Sequence, residues 1–174
     1  MASLPPPLAL PERMELLEII GVDGESNTLD FTVYGKPRAL KRSIFVSRLN
    51  RGVNPDRRRL AQFRQNIRQQ LGNRPGPYFP DLTSSVQLGI TFWVKRPSNH
   101  FINGDRSSNR IKPRFLNARV TGGDVDNMVK FVLDASNGVL YSDDRQVVSI
   151  FSSKIWATEG TSEGSVTIGA KLIL

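Results

Sequence analysis

The chain has 174 residues, 39% of them hydrophobic and 23% charged, enough for one globular domain with its own core. It holds no cysteine and a single histidine, His100, which excludes disulfides, thiolate metal sites, cysteine nucleophiles and any two-histidine metal site. The 24 Lys and Arg against 16 Asp and Glu leave a surplus of +8, the balance expected of a protein whose partner is a polyanion, most often nucleic acid.

The opening MASLPPPLALPERM has neither the charged start nor the unbroken apolar core of a signal peptide. No apolar run approaches the roughly 18 residues of a membrane span. The expectation is an intracellular protein, cytoplasmic or nucleoid-associated, without a membrane partner. Its N-terminal extension over 1–28 is partly flexible, and one domain covers 29–174. Within the extension, MELLEIIGVDG (14–24) is a weak strand candidate. LDFTVYG (29–35) alternates apolar and polar positions and predicts a strand. Between Lys36 and Arg74 basic residues outnumber acids twelve to one, Asp56 being the exception. That excess is larger than the surplus of the whole chain, so the charge forms a stripe on an otherwise slightly acidic body. Residues 54–72 predict a helix, with Asn54 as cap, Pro55 in the first position and Asp56 at the positive end of the dipole. Leu60, Phe63, Ile67 and Leu71 form its apolar stripe, and Gly72 ends it. Arg57, Arg64 and Arg68 recur off that stripe. They make either a solvated face or a phosphate-facing one, and the lack of interleaved acids favours the second.

SVQLGITFWV (85–94) predicts a second strand. A turn-rich stretch follows over 98–123, longer than loops in compact domains usually are, and so functional or mobile. It carries Arg106, Arg110, Lys112, Arg114 and Arg119, and its His100 is expected at the surface. Residues 123–138 predict a loop running into a helix that starts near Asn127 and stops at Asn137-Gly138. Met128, Val132 and Ala135, or Phe131 and Val132, face inward. A polar turn at Asp143-Asp144 leads to strands over 145–156 and 165–174, joined by the turn 158–164. No repeat and no linker that would split the chain into two domains is visible.

Asp124, Asp126, Asp143 and Asp144 carry the chemistry. In extended chain Asp124 and Asp126 point the same way, roughly 7 Å apart, and Lys130 projects back over the helix start. Clustered carboxylates repel one another unless a hard cation sits among them, and Mg²⁺ is held by a few carboxylates, water and substrate phosphate. Such a site hydrolyses phosphodiesters, with lysine stabilising the transition-state charge. The plain alternatives are that Asp126 only caps a helix and Asp143-Asp144 only make a turn. A calcium loop is excluded, because DVDNMV lacks the ligand and glycine such a loop requires.

GDVDNMVKFVLDASNGVLYSDDRQVVSIFSSK (123–154) resembles the signature of the RusA family of Holliday junction resolvases. YGKPRALKR and RPSNHFINGD resemble that family's earlier basic turn and loop. The resemblance implies a small single α+β domain, a mixed sheet of about four to five strands packed with two main helices, RusA-like and homodimeric. It also implies cleavage of four-way DNA with Mg²⁺, Mn²⁺ being able to substitute, and with no organic cofactor. It places Asp124, Asp126 and Asp144 on the metal-binding acids and Lys130 on the catalytic lysine, with Asn127 and Asp143 in support. Lys36, Arg38, Lys41, Arg42, Arg57, Arg64, Arg68, Arg110, Lys112, Arg114, Arg119 and Lys154 are the DNA-binding candidates. The family pattern departs here at Gly122-Gly123 and at Ser136. The rival readings are a nuclease for other branched DNA and a non-catalytic basic DNA-binding module.

Overall fold

A computed structural model describes residues 28–41, 44–46, 51–157 and 163–173. The strand candidate at 14–24, all but the last residue of the 1–28 extension, and Arg42 lie outside these residues. Six strands and two α-helices are present among the described residues: β1 (Thr28–Tyr34), β2 (Ile44–Val46), β3 (Arg51–Val53), α1 (Arg57–Gln70), β4 (Ser85–Val94), α2 (Val125–Ser136), β5 (Val147–Trp156) and β6 (Ser165–Ile173). β2 and β3 form a small antiparallel hairpin that the sequence pattern did not reveal, since three-residue strands are too short to show a period. The other four strands make one mixed sheet in the order β1-β6-β4-β5. β6 runs antiparallel to both β1 and β4, whereas β4 and β5 are parallel. A parallel pair needs a long crossover, and the basic loop with α2 supplies it.

Alternation selects the buried face of each strand. Phe31 and Val33 of β1, Val86, Leu88, Ile90 and Phe92 of β4, and Val166, Ile168 and Ala170 of β6 join one core with Ile67 of α1 and Met128, Val132 and Ala135 of α2. On α2, Phe131 is buried as well, so both alternative inward sets are satisfied by one wide stripe. The helices meet through Phe63 and Phe131, edge to face at 5.5 Å. At this core full burial of a Leu- or Phe-sized side chain contributes about 1.5–3 kcal/mol.

The start of α1 departs from the simple cap. Asn54 Oδ1 accepts the Asp56 amide at 2.8 Å, and the helix begins only at Arg57. The Asp56 carboxylate, 1% exposed, accepts the Lys41 amide at 2.7 Å and Arg59 Nη1 at 2.8 Å. Burial works to raise its pKa, but these partners outweigh it and hold the carboxyl below its ordinary range. Asp56 therefore clips the segment after β1 onto α1.

The long loop is ordered by short 3₁₀ turns at Ser98–His100, Ile102–Gly104 and Pro113–Phe115. His100 is not at the surface, being only 8% exposed. It stacks on Phe115 at 4.1 Å and meets the edge of Trp156 at 5.6 Å. Arg96 covers the same Trp156 ring at 5.0 Å and donates to the Phe115 carbonyl at 2.8 Å. The partners of His100 come from distant parts of the chain, so no local pattern announced its burial.

Candidate functional site

The N-terminus of α2 follows a tight Gly-Gly turn. Gly122 has φ +113°, a conformation that L side chains rarely adopt, and a Cβ on Gly123 would collide with that of Ala39. The Lys154 ammonium on β5 donates to the Gly123 carbonyl at 2.9 Å, while the Asn127 carbonyl accepts the Leu40 amide at 2.9 Å. Asp124, the next residue, occupies the cap position of α2 yet its side chain makes no capping bond. It is exposed. Asp126 stands in the first turn with Oδ2 3.9 Å from Lys130 Nζ, both side chains more than 60% exposed. Lys130 thus leans back toward the helix start, toward Asp126 rather than toward Asp134.

The second acidic pair separates into two roles. Asp143 accepts the Arg145 amide, forms a capping box with Gln146, and binds the Arg145 guanidinium through both oxygens at 2.9 Å. The Arg145 bonds hold its carboxyl far below the ordinary range. Gln146 extends the same knot by accepting the Ser142 and Asp143 amides and donating to the Asp81 carbonyl. Asp144 is exposed, and its charge reaches the far half of α2. There Asp134 is pushed above the ordinary carboxylate range by desolvation and then by Asp144, with Arg64 acting in the opposite sense. Burial and Asp144 together also push the Tyr141 hydroxyl up; that hydroxyl donates to the Leu133 carbonyl at 3.0 Å.

Asp126, Lys130 and Asp134 recur every four residues and so share one helical face, with Asp144 near its end. Asp134 was missed as a member of this acidic stripe, although its spacing from Asp126 was there to be seen. Among the described residues no three carboxylates converge tightly enough to hold an ion between them. The donor set itself suits a hard cation, since it offers only oxygen and the Asp124 carboxylate is not spent on a cap. Mg²⁺ is usually held by one or two carboxylates, with water and phosphate completing the shell.

Several expected DNA-binding cations are committed to the protein itself. Arg64 donates from Nε to the Ala135 carbonyl at 3.2 Å and from Nη2 to the Asp134 carbonyl at 2.8 Å, closing the C-terminal end of α2. Lys112 donates to the Asn99 carbonyl at 3.0 Å, Lys154 to Gly123, and Arg114 lies over the Phe115 ring at 4.7 Å. Arg57, Arg68, Arg110 and Arg119 are exposed. Lys36, Arg38 and Lys41 line a cleft beside Gly122 and Gly123, together with Arg106 of the basic loop, Arg59 of α1 and Lys95, the last not singled out from the sequence.

A four-stranded mixed sheet under two helices, with carboxylates and a lysine at one helix start and a basic flank, defines a small α+β domain suited to phosphodiester substrates. The sequence pattern of the family described as endodeoxyribonuclease RusA matches residues 34–168, and the chain belongs to that family of nucleases. A Bacillus subtilis (strain 168) protein, "Uncharacterized protein YqaN", is 30% identical over 132 residues, covering 75% of this chain and 89% of that protein. Among the described residues no helix is long and apolar enough to cross a membrane.

Proposed function

We propose that the protein is a Mg²⁺-dependent, intracellular, structure-specific endonuclease. In this reading it resolves four-way DNA junctions as a homodimer, in recombination and repair. The observation that carries it is Asp124: an aspartate in the cap position that caps nothing, two residues before Asp126 and within a family of endodeoxyribonucleases. The capping-only alternative was drawn for Asp126, which stands inside the first turn of α2 and is not its cap residue.

Asp124, Asp126 and Asp144 are the acids that would share the metal, not as a closed three-carboxylate cage but with water and substrate phosphate completing the shell; bound there, it would supply activated water and charge stabilisation at the scissile phosphate. The Lys130 ammonium, unburied and only loosely paired, is placed to meet charge developing on the phosphate. Asp143 acts on the acidic turn, keeping the backbone around Asp144 in one conformation. Lys154 fixes the carbonyl immediately before Asp124. A junction has near two-fold symmetry and must be nicked on two opposed strands, and two copies about a dimer axis answer that geometry.

The test compares four-way, Y-shaped and linear DNA with and without Mg²⁺, for the parent and Asp126→Asn. The parent cuts the four-way substrate preferentially and only with metal. The variant cuts nothing, binds junctions at least as tightly because a negative charge facing phosphate is gone, and melts no lower than the parent without metal. Mg²⁺ raises the melting point of the parent more than that of the variant. Full cleavage by Asp126→Asn overturns the assignment, and equal cutting of Y-shaped DNA shifts it to branched DNA in general.

A further inference from the structure

We propose that the cleft beside the start of α2 is a built subsite for a backbone phosphate of the cut strand, adjacent to the scissile one. This rests on the nuclease reading above and names where its substrate is held. The cleft encloses about 390 Å³. That is near the small end of the roughly 300–1,000 Å³ typical of ligand sites, room for a phosphodiester with its sugars but not for a duplex arm. Six cations line it: Lys36, Arg38, Lys41, Arg59, Lys95 and Arg106. The lining contains one acid, Glu163, which is bound to Lys95 at 3.1 Å. Its carboxyl is held below the ordinary range by that bond and the Lys95 charge, then by Lys36 and Arg106. Arg59 is paired with Asp56 and Lys95 with Glu163, so Lys36, Arg38, Lys41 and Arg106 are the lining cations left to meet an incoming phosphate.

The walls are set before any ligand arrives. Gly35 donates to the Gly164 carbonyl at 3.0 Å, Leu40 to Asn127 at 2.9 Å, Lys41 to buried Asp56, and Lys154 to Gly123. A Cβ on Gly164 would collide with the Trp93 carbonyl oxygen, and one on Gly123 with Ala39. The basic turn thus packs on Gly123 through Ala39 and lies beside Gly164 through Pro37. The backbone that carries these cations therefore needs little reorganisation when charge arrives, which favours electrostatic binding. Gly123 lines the cleft and immediately precedes Asp124, so an anion held here lies beside the exposed carboxylates and directs the next phosphodiester onto them. Contacts of this kind set register without reading bases.

The probe is the dinucleotide d(TpT), which carries one phosphodiester, titrated into metal-free full-length protein and followed through backbone amide resonances. Saturable shifts are expected at residues 36, 38–41, 95, 122 and 123. Arg38→Ala and Arg106→Ala each weaken binding by about threefold or more, the scale of losing one partly exposed charge partner. Glu163→Gln tightens it, and Arg58→Ala, an exposed helical arginine outside the cleft, leaves it unchanged. Shifts scattered over the basic surface, or affinities within twofold of the parent for both arginine variants, overturn the subsite. Junction cleavage is assayed in parallel. If d(TpT) binds in the cleft while no DNA is cut, the nuclease reading fails and the phosphate site stands; if junctions are cut and the cleft stays empty, the subsite alone fails.

Discussion

Arg64 and Arg68 lie one helical turn apart on α1, and the structure assigns them opposite work. The Arg64 guanidinium, half-buried, closes two carbonyls at the C-terminal end of α2, whereas Arg68 is exposed. Truncating Arg64 removes two charge-assisted bonds and a cation at the negative end of a helix dipole. A charged hydrogen bond is worth about 1.5–3 kcal/mol when buried, and a charge at a helix end about 0.3–1 kcal/mol. Discounted for partial exposure, Arg64→Ala costs about 1–2 kcal/mol, a fall in melting temperature of roughly 2–8 °C for a domain of this size. Arg68→Ala leaves the melting temperature within about 2 °C, since surface changes usually fall within about 0.5 kcal/mol. DNA affinity measured against salt reads the other function. Each lost phosphate contact flattens the log–log slope by about 0.9, so Arg68→Ala flattens it by about one contact and Arg64→Ala hardly at all. If Arg64→Ala flattens the slope by a full contact and melts like the parent, the carbonyl contacts are incidental and the reasoning is refuted.

Lys130→Ala cuts the cleavage rate by about 10²-fold or more, the scale of losing one electrostatic stabiliser, with junction affinity within a few-fold; single-turnover kinetics beside a binding titration check this, and an unchanged rate refutes it. Asp144→Asn abolishes cleavage without lowering the melting temperature, whereas Asp143→Asn lowers the melting temperature by breaking the Arg145 clamp and leaves residual cutting; the reverse pattern would exchange their roles. Burial, then Arg96 and Lys112, push the His100 pKa down, so the unfolded chain binds this proton more tightly than the folded one. Stability from this group is complete above about pH 6.5 and is lost as the pH falls through the folded value. The urea midpoint should therefore drop between pH 7 and 5 in the parent and less in His100→Phe, and parallel pH profiles for the two proteins would count against the buried neutral ring.

Local pattern in the amino-acid sequence was enough for the main elements and for the family. Period-two alternation marks β1, a dense apolar run marks β4 at its observed limits, and the spacing of Leu60, Phe63, Ile67 and Leu71 marks α1, because each of these patterns is local. The acids around α2 and the family they belong to were legible for the same reason. Tertiary structure alone decided the rest. β5 and β6 follow one another in the chain, yet they lie on opposite sides of β4, since a strand's neighbours are set by which faces are buried together. Asp143 and Asp144 have the same side chain, and only the arrival of Arg145 and Gln146 makes one of them structural. Arg64 differs from Arg68 because the end of α2 lies within its reach, and His100 is buried because Phe115 and Trp156 close over it. A side chain's type follows from sequence; its task depends on which unsatisfied groups the folded chain brings near.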